Sequence, residues 1–217
     1  MRTVQLLVLG GIAAYIAMLP RYSFAKNIAV LAVDYPPFTS PSSVNNGVAF
    51  SLLQQKTTDD TVTWTPAFAP PARISQLIRE NKWCASFYPV NKDIASEKIK
   101  LSNGLVTIGL VRAKPNAGDF EWTHLSDLAG HSVALLRTSH ESEFFKQFID
   151  AGLNVIEVES VKAGVDMVLR GRVDFSLADN ISANLNPDLQ FSRTALERTN
   201  ITLFVNPNCD FPKWYKS

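Results

Sequence analysis

The chain has 217 residues, 46% of them hydrophobic and 19% charged, with 10 Gly, 12 Pro and 2 Cys. That composition is too apolar for a disordered chain, too poor in cysteine for a disulfide scaffold and too poor in Gly and Pro for a fibre. A formal net charge of +1, from 21 Lys and Arg against 20 Asp and Glu, leaves no broad basic surface to hold a phosphate backbone, so no nucleic-acid partner is expected.

Residues 1–25 carry the marks of a secretory signal peptide. Arg2 supplies a positive start, Val4 to Leu19 is mostly apolar, and Ser23-Phe24-Ala25 places small residues at the first and third positions before a cut. The apolar run falls short of the roughly 20 residues that span a bilayer. A cleaved leader and an exported, periplasmic product are therefore expected. In an oxidising compartment Cys84 and Cys209 become a candidate disulfide closing a long loop, with two separate buried thiols as the alternative.

Ile28 to Val33 is a continuous apolar run, the pattern of a strand buried on both faces. Asp34-Tyr35-Pro36-Pro37-Phe38 then breaks it with two prolines, and turn residues continue to Gly47. A helix over Val48 to Gln55 and a strand over Thr61 to Thr65 follow. Pro70 and Pro71 start the next helix, with Ile74, Leu77 and Ile78 on one face, and Cys84 to Val90 returns as a strand. Asn91 to Lys100 reads as a polar connection before a strand at Val106 to Val111.

After a loop at Lys114 to Gly118 the alternation restarts, with a strand at Val133 to Leu136 and a helix from about His140 to Ala151. Thr138 and Glu141 have capping-box spacing, Phe144, Phe145 and Phe148 form the apolar stripe, and Gly152 supplies a left-handed stop. A strand at Asn154 to Val158, a helix at Val161 to Leu169 capped by Ser160 and stopped by Gly171, and a strand at Val173 to Leu177 complete the second block. The last apolar strand is Ile201 to Val205. The pattern is α/β in two blocks joined near Val111, with a return near Ile201, which implies two lobes and two hinge strands. The expected division is a leader at 1–25, a first lobe at 26–111, a second at 112–199, and a return strand and tail at 200–217 lying on the first lobe. Ligands of such folds bind at strand carboxyl ends between domains.

No nucleophile elbow, phosphate loop or dinucleotide motif is present, and His124, His131 and His140 are spaced without a metal pattern. No cofactor or metal is expected.

Three segments carry a resemblance: Asp34 to Phe38 after the first strand, Leu128 to Leu136, and Gly171 to Asp179, the last reading Gly-Arg-Val-Asp-Phe-Ser-Leu-Ala-Asp. In this order they resemble the extracellular solute-binding proteins of family 3, the periplasmic receptors of polar amino acid ABC importers. The resemblance covers about Ile28 to Val205 and implies a two-lobed type II binding-protein fold with parallel-dominated sheets. It implies that Tyr35 and Phe38 cover the ligand, that Thr138 and Ser139 offer donors to a ligand carboxylate at a helix start, and that Asp179 receives an ammonium group. Plain packing for Phe38 and plain capping for Thr138, Ser139 and Asp179 are the structural alternatives.

The chain also departs from the family. Ala95 stands where an Arg fork grips the ligand carboxylate, and Ser51 stands where the first helix carries an acid. Lys92, Lys98 or Arg137 could supply charge instead, and a standard α-amino acid is not the ligand these residues imply. Phe87 and Tyr88, in an aromatic stretch after Cys84, are candidates to line the cleft, with one of the pair facing the core. Family members continue beyond the return strand through helices on the first lobe; in this divergent chain either the tail, pinned by Cys209 to Cys84, takes their place or the first lobe is incomplete.

The function implied is non-catalytic capture of a small polar solute by hinge closure, with delivery to an ABC permease by a monomer. A sensing or accessory protein for a membrane signalling partner is one alternative. A periplasmic enzyme such as a dehydratase, with Asp179, Glu141 or His140 as acid or base, is the other.

Overall fold

The computed structural model describes residues 26–114, 118–137 and 142–210, and the expected leader lies outside them. In chain order the elements are β1 (Lys26–Ala32), α1 (Val48–Lys56), β2 (Val62–Phe68), α2 (Pro71–Arg79), β3 (Ala85–Ser86), β4 (Glu97–Lys100) and β5 (Val106–Ala113). Then follow β6 (Ser132–Leu136), α3 (Glu143–Asp150), β7 (Asn154–Val158), α4 (Val161–Leu169), β8 (Phe175–Asp179), α5 (Asn180–Asn184), β9 (Leu189–Phe191), β10 (Glu197–Thr199) and β11 (Thr202–Val205).

These strands build two mixed sheets. In the first the order is β2-β1-β3-β11-β4, with β1 parallel to β2 and β3 and β11 antiparallel to β3 and β4. In the second it is β10-β5-β8-β6-β7, with β9 also on β5; β6 runs parallel to β7 and β8, and β5 is antiparallel to each of its partners.

The chain crosses from the first sheet to the second between Lys100 and Val106 and returns between Thr199 and Thr202. The join expected near Val111 falls inside β5, whose partners all lie in the second sheet. The two crossings run side by side. Leu101 N–H donates to the Ile201 carbonyl at 2.8 Å, Ile201 N–H to Ser102 Oγ at 3.0 Å, and Asn200 Nδ2 to the Gly104 carbonyl at 2.9 Å.

Each sheet is covered on both faces, which is why its central strands read as apolar runs. Ile28, Val30 and Ala32 of β1 pack with Phe50 and Leu53 of α1, while Leu31 faces Ile74 and Ile78 of α2 and Trp83. In the second sheet Val133 and Leu135 meet Phe145 and Phe148 of α3, and Ala134 meets Val161 and Val168 of α4.

The punctuation around α4 acts as read: Ser160 Oγ accepts from Ala163 N–H at 3.1 Å, and Gly171 takes a φ of 65° just past its end. Other elements differ from expectation. The strand expected over Cys84 to Val90 is reduced to Ala85–Ser86, because the Ser86 hydroxyl donates to the Tyr88 carbonyl at 2.8 Å and closes a turn. The connection at Asn91 to Lys100 contains β4, an edge strand with Ile99 as its one buried residue. Helix α3 begins at Glu143 with Ser142 as its cap, its Oγ accepting from Phe145 N–H; the Thr138 and Glu141 pair lies outside the described residues.

Cys84 and Cys209 form a disulfide with Cα atoms 5.7 Å apart, so the pairing read from the sequence is present. Asn206 reinforces it, donating from its backbone N–H to the Cys84 carbonyl at 2.8 Å and from Nδ2 to the Trp83 carbonyl at 2.9 Å.

Candidate functional site

The loop from Asp34 to Ser40 leaves the carboxyl end of β1 and is folded by its own backbone. Tyr35 and Thr39 exchange hydrogen bonds, with Tyr35 N–H donating to the Thr39 carbonyl at 2.6 Å and Thr39 N–H to the Tyr35 carbonyl at 3.0 Å. The loop also serves as the cap of α1. Val48 and Ala49 donate their N–H groups to the carbonyls of Pro37 and Phe38 at 3.0 and 2.9 Å, so donors that a helix start leaves unpaired are satisfied by the site loop itself. Gly47 makes this possible: its φ is 102°, and a Cβ there would collide with the Phe38 carbonyl. Gly47→Ala is therefore expected to cost about 2 kcal/mol or more, read as a lowered urea midpoint, and an unchanged midpoint would show that the loop adapts freely.

That loop reaches the second sheet. Tyr35 packs against the cluster containing Val111, Ala134 and Ala178, and its hydroxyl donates to Asp179 Oδ2 at 2.6 Å. Phe38 stays behind in the first lobe, buried, with its ring 5.5 Å from that of Tyr35. Asp179 is 0% exposed at the carboxyl end of β8. Its Oδ1 accepts from the N–H groups of Ile181 and Ser182, both at 2.8 Å, so the residue caps α5 while it holds Tyr35. Burial, and then the carboxylate beside it, push the Tyr35 hydroxyl proton far above its ordinary pKa. A second bond crosses nearby, from Ser182 Oγ to the Pro36 carbonyl at 3.2 Å.

The other expected residues are dispersed. Phe87 lies edge-on to Phe50 at 5.0 Å in one core cluster, and Tyr88 packs in the cluster on the opposite face of the first sheet, where burial raises its pKa against a bond with Ser75. Arg137 is drawn to the β7 side, with Nη1 at 2.6 Å from Glu159 and Nε at 3.3 Å from Glu157. Thr138 and Ser139 lie outside the described residues. Ala95 is exposed just before β4, and Ser51 Oγ donates to the Gly47 carbonyl at 3.1 Å. Lys92 makes an exposed ion pair with Glu143 at the start of α3, at 3.6 Å, a second point where the two lobes meet.

Sequence reasoning named Tyr35 and Asp179 separately and missed their bond, as well as Ser182 and Glu143. The hollow beside Tyr35, among Val161, Val165, Ala178 and Ser182, has about 160 Å³. A larger one of about 530 Å³ lies at the opposite end of β1, by Lys26, Ile28, Trp83 and the disulfide. Its charges are paired, Lys26 with Asp210 and Lys82 with Glu80. Among the described residues no cluster of His, Cys, Asp and Glu could hold a metal, and no helix is long and apolar enough to cross a membrane.

No protein-family model matches the sequence, and no curated protein matches it in sequence. Solved structures are similar in fold. Holo arginine-binding protein from T. maritima superposes with a TM-score of 0.65 at 18% identity, over 83% of this chain and 83% of that one. The amino acid ABC transporter substrate-binding protein AbpA from Streptococcus pneumoniae, bound to L-arginine, gives 0.64 at 15% identity over 84% and 82%. The GluR0 ligand-binding core from Nostoc punctiforme, in complex with L-glutamate, gives 0.63 at 13% identity over 83% and 85%. At these identities the likeness is one of fold, and the chain has the two-lobed α/β fold of periplasmic binding proteins.

Proposed function

We propose that the chain is a family 3 solute-binding protein that captures a small polar solute between its lobes outside the cytoplasm, without catalysis, and presents it to an ABC permease. The observation that carries this is the meeting of the Tyr35 loop from the first lobe with Asp179 from the second, at the carboxyl ends of β1 and β8, where α/β folds bind ligands. The paired crossings beside Leu101 and Ile201 supply a hinge, so contacts on both lobes would shift an open and closed equilibrium. Tyr35 and Phe38 form the aromatic wall, Asp179 the polar partner, and Thr138 and Ser139 offer donors to a ligand carboxylate; Phe87, Tyr88 and Arg137, engaged in core packing and in ion pairs with Glu157 and Glu159, take no direct part. The expected leader over 1–25 places the protein in the periplasm, and it works as a monomer.

A non-catalytic role is supported by the three hydrogen bonds that Asp179 already accepts, which leave it poorly placed to take a proton from a substrate. Thermal unfolding against a panel of amino acids, amines, organic acids and small sugars tests the function. A true solute at about 100 times its dissociation constant adds roughly 2.7 kcal/mol of stability, whereas no shift with any compound would count against solute capture.

A further inference from the structure

We propose that Tyr35 is a built-in occupant of the Asp179 site: its hydroxyl latches the two lobes together in the absence of solute. Asp179 has no exposed surface, and both of its oxygens are engaged, Oδ1 by the start of α5 and Oδ2 by Tyr35. The donor that fills Oδ2 comes from the other lobe, so the bond joins the two lobes through protein atoms alone. Ser182 Oγ on the Pro36 carbonyl extends the same seam, and the partly buried Tyr35 ring packs against the second lobe's core. The hollow left beside it, about 160 Å³, is smaller than the roughly 300 Å³ from which ligand sites start. The exposed Lys92–Glu143 pair adds little energy but marks a further contact between the lobes.

The consequence for solutes rests on the function proposed above. A solute with an ammonium group exchanges its own hydrogen bond for the Tyr35 one at Oδ2, so it gains only the difference, and its apparent affinity falls by the fraction of molecules held latched. Tyr35 thereby selects against weak donors.

The test needs no solute. Both native cysteines are bonded to each other, so cysteines introduced at exposed Gln54 on α1 and Lys146 on α3 can be spin-labelled selectively. In the ligand-free protein one short, narrow label-to-label distance is expected. In Tyr35→Phe, which leaves Asp179 Oδ2 buried without a donor, a longer population should appear, with the open-to-closed ratio rising about tenfold to a hundredfold. A ligand-free wild type that already shows the long population, or a variant whose distances superimpose on wild type, overturns the latch. Should Tyr35→Phe fail to fold, the wild-type distance decides alone. If the distances behave as stated while no compound of the panel stabilises the protein, the latch stands and solute capture fails.

Discussion

Replacing both Cys84 and Cys209 by Ser is expected to cost about 5 kcal/mol, the largest loss of any change described. The bridge closes a loop across a separation of 125 residues, and the chain-entropy model assigns about 4.7 kcal/mol to a 100-residue loop, rising slowly with length. That is comparable to the whole stability of many domains. Two Asn206 bonds hold the same neck without the sulfurs, so the fold is expected to persist in water but to melt far earlier in urea. The damage should be local. Residues 106–199 form the second sheet without help from the bridge, so amide protection in β6 and β8 should survive while that of β1 and β11 falls. Reduced wild type should reproduce the double variant, and a loss below about 1 kcal/mol in both would sink the entropic account.

Asp179→Ala should cost about 3 kcal/mol, and Asp179→Asn about 1 kcal/mol. Alanine removes the cap of α5, worth about 1 kcal/mol, and strips a buried Tyr35 hydroxyl of its acceptor, a charge-assisted bond worth about 2 kcal/mol. Asparagine keeps an oxygen for Ile181 and Ser182 N–H and can turn its amide toward the Tyr35 oxygen, so it keeps the cap and weakens the latch. Urea titration of the two variants beside wild type gives the ranking. Equal losses for both would mean that the charge, rather than the cap geometry, holds this corner. Of the two readings of Asp179, the helix cap is present at Oδ1, while Oδ2 accepts from Tyr35.

What could be read from the sequence follows how local each determinant is. Strand β7 and helix α4 match the expected limits at Asn154 to Val158 and Val161 to Leu169, because Ser160 and Gly171 act on neighbouring backbone. The two lobes were legible because β1 and β6 are buried on both faces and so carry uninterrupted apolar runs. Strand β4 was not, since an edge strand with Glu97, Lys98 and Lys100 in solvent looks like a solvated connection. Helix α5 and strands β9 and β10 are too short to display a period. In the site, the loop aromatic and the buried acid were each visible, but their bond depends on how two lobes meet across 144 residues. Arg137 shows the same limit in reverse: its charge was evident, and the side chains that claim it are Glu157 of the neighbouring strand β7 and Glu159 just past its end.

The place of β11 between β3 and β4 sets an order of assembly. The second sheet is made from one unbroken stretch, so a chain emerging amino end first can complete it from within. The first sheet cannot close, because its inner strand is formed by residues 202–205, after the whole second lobe. Until those residues arrive, β4 has no partner and β3 is paired only with β1. Contacts of such long sequence separation form slowly. The amino-terminal lobe is thus the last to mature, and during that interval its open β3 edge is the stretch of the molecule most in need of protection from other chains.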